Sequence, residues 1–216
     1  MKYVIALSSL LFIGCSSTSN TLNEYKTIAG SVKSKTVPSS RLNGSPLITL
    51  GQPINGDIRK EDPIFLNEGY ASNYDTYKIN ITIPGEYNIN VKTLCDCLGF
   101  SKILFFPSVH VLDKEMVEVP INDSNVESGL PTDNLFASNI PAHLNADINL
   151  IFAETGTYYL IISPYNKNIG KLAIDISVST KSNSPTNPVW IPNFSVPIKI
   201  HPYGKYIAKL EAVDTH

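Results

Sequence analysis

In the stretch Tyr77-Lys78-Ile79-Asn80-Ile81-Thr82-Ile83-Pro84-Gly85-Glu86-Tyr87-Asn88-Ile89-Asn90-Val91-Lys92, apolar and polar residues alternate on either side of a Pro-Gly pair. Successive side chains of a strand point to opposite faces. A period of two therefore puts Tyr77, Ile79, Ile81 and Ile83 on one face and Lys78, Asn80 and Thr82 on the other. Pro84-Gly85-Glu86 supplies a turn, after which Tyr87, Ile89 and Val91 alternate with Asn88, Asn90 and Lys92. The reading is an antiparallel hairpin with one dry face and one wet face.

The sequence on either side is of the same kind. Short apolar runs occur at Ile103–Leu112, Met116–Val119, Ile148–Phe152, Thr157–Ser163 and Leu172–Val178. In the last of these, Leu172, Ile174, Ile176 and Val178 fall on one side. Glu154-Thr155-Gly156 and Asn166-Lys167-Asn168 mark turns, and no stretch beyond the N-terminus sustains a period of 3.6. Many short strands with turn signals between them predict an all-β fold, an antiparallel β-sandwich over residues 46–179. Tyr77, Ile79, Ile81, Ile83, Ile174 and Ile176 are its expected core residues.

Two segments stand apart from the strand pattern. Glu115–Ala146, rich in Pro, Asn, Asp and Ser, reads as a long excursion between strands and hence as a contact surface. Residues 180–216 begin with a Ser-, Asn- and Pro-containing linker and carry strand-like runs at Val196–His201 and Tyr206–Leu210. Those runs either pack back onto the sandwich or form an edge hairpin blunted by Pro192 and Pro197. Trp190, the only tryptophan, either pins this tail to the core or, if exposed, anchors a partner.

The N-terminus reads as an address. Lys2 precedes the apolar run Val4–Ile13, about half of what a bilayer-spanning helix needs, so residues 1–14 read as a signal peptide. Leu11-Phe12-Ile13-Gly14-Cys15-Ser16 then resembles the lipobox of bacterial lipoproteins, which implies that Cys15 is acylated and becomes the first mature residue. Each buried acyl CH₂ contributes about 0.8 kcal/mol, and more than one chain is needed for a firm hold on the bilayer. Ser16 rather than Asp after the cysteine implies sorting to the outer membrane. Residues 15–45, dominated by Ser, Thr, Asn, Lys and Gly, read as a flexible tether that lets the domain float clear of the membrane. Its reach would be roughly 30 Å.

Composition excludes some partners. The 216 residues carry 17 basic and 19 acidic groups, and loss of residues 1–14 removes only Lys2. A net charge of −3 without runs of either sign gives no basic face for nucleic acid. With Cys15 taken by lipid, Cys95 and Cys97 remain as an even pair in an oxidising compartment, available for a disulfide. Residues i and i+2 of a strand lie at the far limit for a bridge, so closing one requires a local bend.

Four stretches in order carry a further resemblance: Ile48-Thr49-Leu50-Gly51-Gln52-Pro53-Ile54-Asn55-Gly56-Asp57; Asn73-Tyr74-Asp75-Thr76-Tyr77; Ile83-Pro84-Gly85-Glu86-Tyr87; and Glu154-Thr155-Gly156-Thr157-Tyr158-Tyr159-Leu160. Together they resemble the bacterial pre-peptidase C-terminal domain family, small jelly-roll-like sandwiches that accompany secreted hydrolases. The resemblance implies an accessory role in substrate binding, sometimes with calcium. This chain departs from the family in the Glu115–Ala146 insertion, the Cys95/Cys97 pair and the extra C-terminal segment.

Catalytic signatures are missing: no G-x-S-x-G, no H-E-x-x-H, no phosphate loop and no dinucleotide fingerprint. His110 alternates with Val109 and Val111 and is expected on a wet strand face. His143 and His201 lie beside loop-like segments, and His216 ends the chain. Oxygen-bearing candidates for calcium are Asp57, Asp62, Asp75, Asp123, Asn125 and Glu127, although Asp123–Gly129 lacks the sixth-position glycine and the later bidentate glutamate of an EF-hand. The functional expectation is a non-catalytic, lipid-anchored envelope lipoprotein that binds a protein or glycan. The alternatives are a hydrolase with an unrecognised site and a calcium-dependent binding module.

Overall fold

The computed structural model describes residues 17–32, 37–95, 104–129, 142–178 and 194–213. Two helices, α1 (Ser17–Ser31) and α2 (Ser39–Asn43), come first. The strands are β1 (Leu47–Ile48), β2 (Ile54–Ile58), β3 (Ile64–Asn67), β4 (Tyr70–Asn73), β5 (Asp75–Ile81), β6 (Gly85–Leu94), β7 (Pro107–Leu112), β8 (Ile121–Gly129), β9 (His143–Phe152), β10 (Gly156–Pro164), β11 (Leu172–Val178), β12 (Phe194–Lys199) and β13 (Gly204–Ala212). They build a four-stranded sheet in the order β1-β5-β10-β7 and a five-stranded sheet in the order β2-β13-β6-β9-β8. Ribbons β3-β4 and β11-β12 complete the set, and the fold is an all-β sandwich. All pairings are antiparallel except β1 with β5.

The core lies where the inner faces of the two sheets meet. Tyr77, Ile79 and Ile81 of β5 and Tyr158, Leu160 and Ile162 of β10 pack toward Tyr87, Ile89 and Val91 of β6, Ile148, Leu150 and Phe152 of β9, and Tyr206, Ala208 and Leu210 of β13. Removing one such large apolar side chain from water contributes about 1.5–3 kcal/mol. The ring of Phe152 lies 4.5 Å from that of Tyr158 and 5.2 Å from that of Tyr87, linking the sheets at one end.

Both strands of the expected hairpin form, but they do not pair with each other. β5 pairs with β1 and β10, whereas β6 pairs with β13 and β9. Pro84-Gly85 is thus a corner between the sheets. The alternation ends with β5: Ile83 sits in the corner and is 71% exposed, contrary to its expected burial. Ile174 is buried, but in a smaller cluster with Leu104, Leu144 and Ile198 rather than in the main core. A bulge between Leu172 and Ile174 breaks the period there and leaves Leu172 exposed. The Ile176 side chain lies outside what the structure describes.

Three larger segments also differ from the sequence reading. The described parts of the expected tether, 17–32 and 37–45, pack on the domain: Tyr25 of α1, Val37, and Leu42 of α2 are buried. Glu115–Ala146 is more than an excursion, since β8 and the start of β9 lie within it and pair along their length. β13 is not an added edge, because it sits inside the five-stranded sheet between β2 and β6. The sandwich therefore does not end at residue 179.

The outer face of the four-stranded sheet carries further layers. Tyr159 and Ile161 of β10 turn outward, yet are buried by Phe65, Tyr74, Val37 and Leu42. In the β3-β4 ribbon Phe65 faces the sheet, while Ile64 and Leu66 pack with Ala71, Ile169 and Tyr25 of α1. The two residues joining β3 to β4, Glu68 and Gly69, both have positive φ (47° and 84°), the requirement of a tight hairpin turn whose twist matches its strands.

Candidate functional site

The turn Asp113–Glu118 leaves β7 as a ridge braced by its own hydrogen bonds. The Asp113 side chain accepts the backbone N–H of Glu115 at 2.9 Å and of Val117 at 2.8 Å through the same Oδ1. Its backbone N–H donates to the Val117 carbonyl at 2.9 Å, and the N–H of Met116 donates to the Asp113 carbonyl at 3.1 Å. These bonds hold Met116 at a φ of 65°, a region that residues other than glycine seldom enter. The ridge presents apolar groups to solvent: Met116 is 37% and Val117 60% exposed, with exposed Ile121 and Ile151 following on β8 and β9.

A groove lies on each side of the ridge. One, of about 680 Å³, runs between the turn and the segment from Ala153 into the start of β10 at Tyr158, with Ile151 and Val119 in its wall. The other, of about 570 Å³, is lined by Val37, Pro38, Phe65, Leu112, Met116 and Ile161 and by the polar groups of His110, Asn67, Glu68 and Glu118. Glu118 borders both.

His110 departs from the expected wet strand face, because the β3-β4 ribbon covers it. Its Nδ1 lies 2.7 Å from Glu118 Oε1, and its Nε2 lies 3.2 Å from Asn67 Oδ1 and 3.4 Å from Ser108 Oγ. Phe65 meets the imidazole edge-on at 6.0 Å. Serine, histidine and acid thus stand in a row, the arrangement of nucleophilic catalysis. Asn67 intervenes: its amide nitrogen donates to Ser108 Oγ at 2.9 Å, and its oxygen is the nearer partner of Nε2. The residues form a closed hydrogen-bonded bridge that joins β3 to β7 and the ridge.

Of the six calcium candidates, Asp57, Asp62 and Asp75 lie near one another, each engaged by another partner, and the remaining three lie on β8. Asp57 pairs with Arg59 at 2.9 Å, and Asp62 accepts the Arg59 backbone N–H at 2.6 Å. Asp75 accepts the Tyr206 hydroxyl at 2.7 Å. Asp123, Asn125 and Glu127 lie along β8, where the Asn125 amide donates to Glu127 at 2.8 Å. Among the described residues no three His, Cys, Asp or Glu side chains stand close enough to hold one metal ion. Cys95 is buried and disulfide-bonded, while Cys15, Cys97, Trp190 and His216 lie outside the described residues. No helix among the described residues is long and apolar enough to cross a membrane.

Ionisable groups in the interior are perturbed mainly by burial. Asp75 is pushed above the usual carboxylate range by desolvation, which outweighs the opposing hydrogen bond from Tyr206. Since Tyr206 donates its one hydroxyl proton to Asp75, Tyr77 donates to Tyr206 across 2.8 Å. Burial likewise raises both phenols and lowers His201 below the usual imidazole range.

The ridge was not legible as a ridge. Met116–Val119 reads as a strand, and what marks a turn instead is Asp113, whose side chain can cap backbone N–H groups two and four residues on.

No family model matches the chain, and no curated protein matches it. Among solved structures it is similar to the pre-peptidase C-terminal domain of a collagenase from Bacillus anthracis, with a TM-score of 0.30 and 14% identity over 77% of this chain and 93% of that one. At those values nothing of that domain's role transfers, and the sandwich rests on the strand pairings described above.

Proposed function

We propose that this chain is a non-catalytic, lipid-anchored module of the bacterial cell envelope that binds a protein partner through the Asp113–Glu118 ridge. The observation that carries the reading is the pinned turn, which holds Met116 and Val117 exposed between two grooves. A rigid apolar projection loses little conformational freedom on binding, and exposed apolar patches of this kind mark contact sites. The exposed apolar groups of the ridge and its margin are aliphatic and stand among the exposed charges of Lys114, Glu115 and Glu118, a mixture that suits a protein surface better than the faces of sugar rings, which favour aromatic side chains. The anchor rests on the sequence: Lys2, the run Val4–Ile13, and Gly14-Cys15-Ser16. Ser16 favours the outer membrane. Confinement to a surface raises the effective concentration of the module toward partners there, so a modest affinity suffices.

Crosslinking in intact cells, followed by identification of the captured protein, tests this reading. Met116→Asp and Val117→Asp should abolish the crosslink without moving the melting temperature, and Asp113→Ala should weaken it by loosening the turn. Cys15→Ala should release the protein from the membrane fraction. Crosslinks indifferent to all three ridge substitutions would refute the contact, and a mature protein with unmodified Cys15 would refute the anchor.

A further inference from the structure

We infer that α1 clamps the module against the bilayer surface and so sets its reach, an inference that rests on the lipid anchor at Cys15 proposed above. Ser17, the first helical residue, is two residues from Cys15. Two residues of chain span about 7 Å at most, and the helix from Ser17 to Tyr25 rises about 12 Å. Tyr25 is where the helix is fastened. It is 3% exposed, and its hydroxyl donates to Asn73 Oδ1. The amide nitrogen of Asn73 in turn donates to the carbonyls of Lys60 at 3.2 Å and Asp62 at 2.6 Å, tying the helix to the β2-β3 turn. Glu24 adds an ion pair with Lys60 at 2.8 Å, and Leu22, Ile28 and Ala29 pack on the outer side of the β3-β4 ribbon.

The consequence is a short, defined stand-off. The path from the acylated cysteine to the Tyr25 backbone is about 20 Å, set by helix rise and covalent reach. With α1 undocked the next buried residue is Val37, and the 22 residues from Cys15 to it can extend to about 75 Å and leave the orientation of the module free. With α1 docked, the Lys60–Asp62 turn and the β3-β4 ribbon ride close to the lipid headgroups. Undocking α1 converts the stand-off into a long leash. The contact partner of this end of the molecule is therefore the headgroup surface, and the Tyr25–Asn73 fastening determines how far the ridge reaches from it.

The test uses the full-length lipidated chain on vesicles of phosphatidylethanolamine with a minority of phosphatidylglycerol. A donor dye is placed at Glu61→Cys, an exposed position in the β2-β3 turn, and acceptor dyes are placed on the headgroups. Energy transfer should be high in the otherwise native chain. It should fall severalfold when Leu22→Asp and Tyr25→Ala undock the helix. It should fall similarly when a flexible Gly-Ser segment is inserted between Ser16 and Ser17, a change that leaves the packing of α1 intact. Equal transfer in all three vesicle-bound proteins would overturn the clamp while sparing the anchor. Failure of the native chain to associate with vesicles at all would overturn the anchor and the clamp with it.

Discussion

The two sheets of the sandwich treat their outer faces in opposite ways. On the five-stranded sheet the outward residues of β6 and β9 include Asn88, Asn90, Lys92, Asn145, Asp147 and Asn149. Asn88 joins Asn149 across the strands at 2.8 Å, Asn90 joins one oxygen of Asp147 across the strands at 2.6 Å, and Asn145 joins the other oxygen along β9 at 2.7 Å. On the four-stranded sheet the outward residues of β10 are Tyr159 and Ile161, buried beneath the β3-β4 ribbon and α2, with α1 on top of the ribbon. Amides can satisfy one another and water at once, so a polar face stands open, whereas an apolar face must be roofed. The grooves and the ridge occur where that roof stops.

The contrast can be broken by substitution. The largest loss is expected for Ile79→Ala, which empties a site with 0% exposure between the sheets and should destabilise by about 2–5 kcal/mol in chemical denaturation. Ile161→Ala should fall in the same range of about 2–5 kcal/mol if the roof packs as tightly as the core. A loss near that of a surface substitution would show the outer layer to be loose. Gly56→Ala would place a methyl group 2.1 Å from the Tyr206 ring, and should destabilise by about 1–3 kcal/mol through overpacking. Tyr25→Phe strips Asn73 Oδ1 of its tyrosine donor and should lower stability by about 1–3 kcal/mol, measured by melting and by amide exchange in α1. On the open face, Asn88→Ala should change stability by no more than about 0.5 kcal/mol.

Charge state sharpens the comparison further. Asp75 has a raised folded-state value, so the native state holds its proton more tightly than the unfolded chain, and stability declines as pH rises from about 4 to that value. Asp75→Asn keeps an acceptor for Tyr206 and should flatten this decline in a pH series of denaturation curves. An unchanged slope would mean that the carboxyl group is better solvated than its burial implies. His201 acts in the opposite sense: with its folded value lowered, stability is lost as pH falls below about 6.5.

What could be read from the chain, and what could not, follows from the range of the forces involved. Alternation at Tyr77–Ile81 and Tyr87–Val91 placed the correct faces inward because the period of a strand is local. The same pattern is silent on which strand lies alongside, so β5 and β6 were legible as strands and not as members of different sheets. Leu22, Tyr25 and Ile28 form too narrow a stripe, among too many poor helix formers, to announce α1. Short helices are marginal without packing, and here the ribbon supplies it. His110 looked solvent-facing because nothing local shows that Phe65 and Asn67, more than forty residues earlier, will cover it. By itself the sequence determined the strand class, the buried stripes and the open amide face, since each is encoded in neighbours one or two residues apart. The interior position of β13, the roof over β10, the fastening of α1 and the exposed ridge were decided only in three dimensions, where burial of one segment depends on the arrival of another.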